Sequence, residues 1–153
     1  MSAPKPAVAV IGTGTMGAGI AQLAAQHGHE VWLLDRAPEL VESARARLAQ
    51  TWEKLAQKGR MDEATREACV ARLHAAAGFE DLGACGWAVE AIAEDLAAKR
   101  ELFSALDRVL PGEAILASNT SSLGITALAG ATKRPARFVG LHFFNPPALM
   151  ALG

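Results

Sequence analysis

The chain has 153 residues, 51% of them hydrophobic, with 15 basic against 16 acidic side chains and a net charge of −1. That length suits one domain with a sizeable core, and the balanced charge, free of long single-sign blocks, excludes a polyanionic partner such as nucleic acid or an acidic membrane. The early apolar run is too short for a signal peptide and no stretch reaches the roughly 20 apolar residues of a membrane span, so a cytoplasmic protein is expected.

Ala7-Val8-Ala9-Val10-Ile11 predicts a short buried strand, and Gly12-Thr13-Gly14-Thr15-Met16-Gly17 follows without a gap. Ala18 to His27 reads as a helix closed by Gly28, and the next apolar run, Val31-Trp32-Leu33-Leu34, ends in Asp35. Strand, glycine turn, helix, strand and acid in this order form a dinucleotide-binding fingerprint. Gly12 permits the tight turn, Gly14 lets the backbone approach a pyrophosphate, and Gly17 lets helix and strand pack closely. The helix N-terminus then presents free N–H groups and a positive dipole end to the phosphates. Asp35 can accept hydrogen bonds from both adenosine ribose hydroxyls and would repel a 2′-phosphate, which favours NAD over NADP. Arg36 is the competing signal, since a guanidinium can hold that phosphate.

Pro38 fits the first position of a helix running to about Gln57, with Leu40, Val41, Ala44, Leu48, Trp52 and Leu55 on its apolar face. Lys58-Gly59-Arg60 breaks it, and Asp62 caps a second helix through about Arg72, ending before Gly78. This pair exceeds what a single crossover needs and predicts a projecting helical hairpin. Trp87 to Ile92 resumes the sheet, Asp95 to Val109 is amphipathic helix, and Ala114 to Ala117 is a buried strand. The polar loop Ser118 to Ser122, a short helix over Ile125 to Ala131 and a strand over Phe138 to Phe144 complete the pattern. Cys69 and Cys85 lack metal-ligand spacing. The alternation predicts an α/β Rossmann-type, doubly wound, mostly parallel sheet with that hairpin attached.

Four stretches occur together and in order: Gly12 to Gly17 with Met16, Val89-Glu90-Ala91-Ile92-Ala93-Glu94, Ala117 to Leu123, and Gly140-Leu141-His142-Phe143-Phe144-Asn145-Pro146. Their combination resembles the NAD-binding half of the L-3-hydroxyacyl-CoA dehydrogenases, including the 3-hydroxybutyryl-CoA dehydrogenases, over nearly the whole chain. The resemblance implies NAD-dependent oxidation of (S)-3-hydroxyacyl-CoA to 3-oxoacyl-CoA. It makes His142 the general base, a role suited to an imidazole of ordinary pKa near 6.5. Without its motif, His142 would more readily be read as a strand-end histidine bonded into the core. Ser121 matches a serine touching both the substrate's 3-oxygen and the cofactor, and Asn145 an asparagine beside the nicotinamide. As bare residues they read equally as a loop hydroxyl and a turn cap.

Glu94 and Lys99 match cofactor contacts near the nicotinamide ribose, and their five-residue separation is not an ideal helical ion pair, which favours separate roles. Glu90, inside an apolar run, receives no role. Thr51 and Lys58 fall on the family's coenzyme A contacts, with Lys54 and Arg60 nearby, although a basic helix end is also an ordinary solvated face. The family's glutamate that orients the histidine would stand at position 154. A domain-sized piece of a longer enzyme is therefore expected, its helical partner domain completing the acyl-CoA pocket and forming a homodimer. Two other readings stay open: an NAD-binding module without catalysis, and a β-hydroxyacid dehydrogenase acting on free acids, against which the His142 motif argues.

Overall fold

Period-two alternation governs the centre of the sheet. Strand β1 (Val8–Ile11) is buried at all four positions, with Val8 and Val10 entering one apolar cluster and Ala9 and Ile11 the other. Successive side chains of a strand point to opposite faces, so a strand covered by helices on both sides must be apolar throughout. The computed structural model of the protein describes residues 4–119 and 124–141.

Helix α1 (Thr15–Gln26) follows the glycine turn, and β2 (Val31–Leu34) pairs parallel with β1 from Val8↔Val31 to Ile11↔Leu34. Helix α2 (Pro38–Gln57) starts with Pro38 in its first turn and gives way at Gly59, whose φ of +74° suits glycine. Asp62 then caps α3 (Glu63–Ala71) by accepting the Thr65 N–H at 2.7 Å. Strand β3 (Leu73–Ala75) comes next and pairs parallel with β2. Sequence patterning did not show β3, because three residues carry no alternation that a helix tail lacks. The hairpin is thus also the crossover between β2 and β3. At 20 residues α2 is about 30 Å long, against about 13 Å for a four-residue strand, so it overhangs the sheet. Fully buried Trp52 anchors it, donating from Nε1 to Gln26 Oε1 at 2.9 Å.

The second half adds β4 (Trp87–Glu90), α4 (Leu96–Val109, capped by Asp95), β5 (Ile115–Ser118), α5 (Ile125–Ala129) and β6 (Phe138–Gly140). The six strands run parallel in the order β3-β2-β1-β4-β5-β6, the doubly wound arrangement with its switch point between β1 and β4. Helices α1, α2 and α3 cover one face through Ile20, Leu48, Trp52 and Cys69, while Phe103, Leu106 and Leu128 cover the other. Strand β4 stops two residues before the expected Ile92, because the Glu90 carboxylate accepts the Ile92 N–H at 2.7 Å and turns the chain. Arg134 ties the approach to β6 onto the end of α4, pairing with Asp107 Oδ1 at 2.7 Å and donating to the carbonyls of Asp107 and Leu110. These are among the carbonyls a helix end leaves without partners.

Candidate functional site

In this topology ligands bind outside the carboxyl ends of the strands at the switch point, and there the chain places Gly12 to Gly17, Asp35, Ala91 to Glu94 and Asn119. The glycines have three different causes. Gly12 has φ +98°, and a Cβ on it would stand 2.6 Å from the Ala91 carbonyl oxygen. A Cβ on Gly17 would stand 1.7 Å from the Gly12 oxygen, so α1 and β1 are closer than any side chain allows. A Cβ on Gly14 would meet nothing within 4 Å. Gly14 caps α1 without a side-chain hydrogen bond, and no acid lies in the first turn. Open space before uncapped, N-terminal N–H groups fits a pyrophosphate.

Asp35 is half-buried and held on both oxygens. Its Oδ2 accepts the Thr13 N–H at 2.8 Å and the Thr13 hydroxyl at 2.7 Å, while Oδ1 accepts the Arg36 N–H at 2.8 Å. Burial raises its pKa, but the Thr13 side-chain and backbone bonds, the Arg36 N–H and the Arg36 charge together outweigh burial and bring it below 3.8. Asp35 therefore stays a carboxylate, able to accept hydrogen bonds. Thr13, 3% exposed, serves by orienting Asp35, and its carbonyl accepts from Arg47 Nη2 at 3.2 Å. Thr15 stands exposed at the start of α1 and Met16 is half-buried behind it.

A pH effect follows from the lowered Asp35 pKa. A depressed carboxylate contributes stability that is complete above its unfolded value, 3.8, and is lost as pH falls through the lower folded value. Asp35→Asn should therefore narrow its stability deficit against the parent as pH falls from 3.8 through the lower folded value. Urea unfolding of both chains over the acid range measures this, and a deficit independent of pH would refute it.

Glu94 and Lys99 are joined, which corrects the expectation of separate roles. Lys99 Nζ donates to Glu94 Oε1 at 2.5 Å and pairs with Glu90 Oε1 at 3.2 Å. The pair forms because residues 91–95 are not helical, so a separation of five is bridged across a turn rather than along one helix face. Lys99 and Glu90 are both 0% exposed, whereas the Glu94 side chain is 46% exposed. Lys99 thus lies beneath the rim that Glu94 occupies. Ser118, also fully buried, donates to Glu90 Oε1 at 2.5 Å. Glu90 and Ser118 were missed as members of this cluster, although a carboxylate within Trp87-Ala88-Val89-Glu90 is the signal of a buried charge needing a partner.

Between α1 and α2 lies a groove of about 710 Å³ lined by Thr15, Gln22, Arg47, Thr51, Lys54 and Arg60, among others. Thr51 donates its hydroxyl to the Arg47 carbonyl at 3.0 Å within α2. Lys58 is the exposed C-cap of α2 and stands outside the lining, where Lys54 and Arg60 supply cationic groups. His142, Ser121 and Asn145 lie outside the described residues. The last described position before the histidine is Leu141, whose N–H donates to the Ser118 carbonyl at 2.9 Å. Among the described residues no helix is long and apolar enough to cross a membrane.

Residues 7–152 match the family described as 3-hydroxyacyl-CoA dehydrogenase, NAD binding domain. A probable 3-hydroxybutyryl-CoA dehydrogenase of Deinococcus radiodurans is 44% identical over 143 residues, covering 94% of this chain and 51% of that protein. The mitochondrial hydroxyacyl-coenzyme A dehydrogenase of Sus scrofa is 43% identical, covering 95% and 48%. The crystal structure of 3-hydroxybutyryl-CoA dehydrogenase from Escherichia coli K12 superposes with a TM-score of 0.90 at 42% identity, over 93% of this chain and 30% of that one. The chain spans about half the length of the first two.

Proposed function

Because this chain belongs to the 3-hydroxyacyl-CoA dehydrogenase family as its NAD-binding domain, we propose that it is the cofactor-binding part of an enzyme oxidising (S)-3-hydroxyacyl-CoA to 3-oxoacyl-CoA. The observation that carries the reading is the switch-point site itself: a glycine turn open at Gly14, with an oriented carboxylate at Asp35. Thr13, Thr15 and Met16 complete that turn. Gly12 to Gly17 and Asp35 would hold NAD, which would supply the hydride acceptor for the C3 hydrogen of the substrate.

The protein's residues do the rest. His142 takes the 3-hydroxyl proton as the C–H electron pair departs, and a positioned base of this kind contributes roughly 10²–10⁴ in rate. Ser121 holds the 3-oxygen, and Asn145 and Glu94 orient the nicotinamide side of the pocket. Lys99 acts through Glu94. Thr51, with Lys58 as a charge at the end of the hairpin, engages the coenzyme A moiety. A homodimer in the cytoplasm is the assembly and compartment that go with this reading.

The test begins with binding. Asp35→Ala should weaken NADH by roughly 1–3 kcal/mol, the scale of lost charge-assisted bonds, partly directly and partly by releasing the Thr13 N–H and hydroxyl. Thermal unfolding of the variant checks that the fold survives. Tighter binding of NADPH than NADH by the parent overturns the cofactor assignment and points to Arg36. Acetoacetyl-CoA-dependent NADH oxidation by the whole enzyme that carries this domain, followed by absorbance beside the titration, separates an enzyme from an NAD-binding module without catalysis, while the 153-residue chain alone is expected to bind NADH without turnover.

A further inference from the structure

Four polar side chains meet beneath the switch point. Glu90 is the last residue of β4, registered between Ile11 of β1 and Ser118 of β5. Its Oε2 accepts the Ile92 N–H at 2.7 Å. Its Oε1 accepts the Ser118 hydroxyl at 2.5 Å and lies 3.2 Å from Lys99 Nζ. Lys99 reaches up from the first turn of α4 to Glu94 at 2.5 Å. Three strand ends and one helix thus converge on a carboxylate with no solvent exposure.

Stability alone is a poor reason for such a cluster. Each buried ion loses several kcal/mol of hydration, and replacing a buried pair by apolar residues of similar volume is often neutral or stabilising. What the charges add is definition. Glu90 fixes the turn at Ala91 and Ile92, and the Ala91 carbonyl is the atom against which Gly12 packs. Glu90 also holds Lys99 in place, and Lys99 gives the half-exposed Glu94 its direction. The backbone of Glu90 accepts the Asn119 N–H at 2.9 Å, so the loop after β5 is tied to the same residue.

We infer that Glu90 is a positioning residue for the cofactor site, acting through Lys99 to set the Glu94 carboxylate at the crevice rim. The inference rests on the reading of Glu94 as a cofactor contact. Glu90 itself touches no ligand.

A double-mutant cycle on the 153-residue chain tests it, with NADH affinity measured by titration and folding followed by thermal unfolding. Glu90→Gln keeps one carbonyl oxygen for the Ile92 N–H, reverses the Ser118 bond so that the amide donates to the hydroxyl, and removes the charge facing Lys99. It should weaken NADH about tenfold in the parent and less than about threefold in a Glu94→Gln background, because groups in one network are not additive. Equal losses in both backgrounds overturn the inference while leaving the Glu94 assignment standing. Unchanged NADH affinity in Glu94→Gln alone overturns both. If Glu90→Gln fails to fold, Glu90→Asp, which keeps the charge and withdraws it by one methylene, is measured in the same two backgrounds with the same criteria.

Discussion

Gly17→Val is expected to remove both folding and NADH binding. A Cβ at this position would stand 1.7 Å from the Gly12 oxygen and 2.8 Å from the Gly12 carbonyl carbon, both backbone atoms of the turn itself. No rotamer relieves that overlap, so α1 must separate from β1. Separation breaks the packing of Ile20, Ala21 and Ala25 against Val8 and Val10. The expected cost exceeds about 4 kcal/mol, at the extreme of single substitutions and comparable with the total stability of many domains. Gly14→Ala is the informative companion. Nothing lies within 4 Å of its Cβ, and its φ of −71° is open to alanine, so the fold should persist while the methyl group intrudes on the phosphate space. Circular dichroism melting with NADH titration measures both, and a well-folded Gly17→Val chain would show that helix and strand do not need this approach.

In the whole enzyme that carries this domain, His142→Gln is expected to lower kcat for 3-hydroxybutyryl-CoA oxidation by roughly 10²–10⁴, the contribution of a positioned general base. Glutamine keeps much of the volume and a hydrogen-bonding tip but cannot cycle a proton near neutral pH. NAD affinity should change much less, because the glycine turn and Asp35 are distant in sequence and held by their own bonds. A histidine serving only the core would instead lose stability and leave the folded fraction with near-normal turnover. Measuring kcat and thermal unfolding on one preparation separates the outcomes, and near-normal kcat in folded protein removes the catalytic assignment.

The two predictions draw on different levels of the molecule. Gly12, Gly14 and Gly17 were legible in the sequence because each answers a constraint set within a few residues: a positive φ, an open approach, a helix leaving its own strand. The caps Asp62 and Asp95 were legible or fell at a predicted boundary for the same reason, their partners lying three residues away. The alternation of Val8–Ile11 between the two apolar faces and the apolar face of Pro38–Gln57 likewise follow from backbone geometry. Tertiary structure decided the rest. Strand β3 exists because the hairpin returns Leu73 to the edge of β2, an event that Leu73-His74-Ala75 does not encode locally. Thr13 became the orienting partner of Asp35 across 22 positions, and Ser118 met Glu90 across 28. Lys99, expected to act apart from Glu94, became the link between two carboxylates once a non-helical turn shortened its path to Glu94. Local sequence specifies backbone conformation over a few residues, whereas the partner of a buried charge depends on which strand ends the sheet order brings side by side.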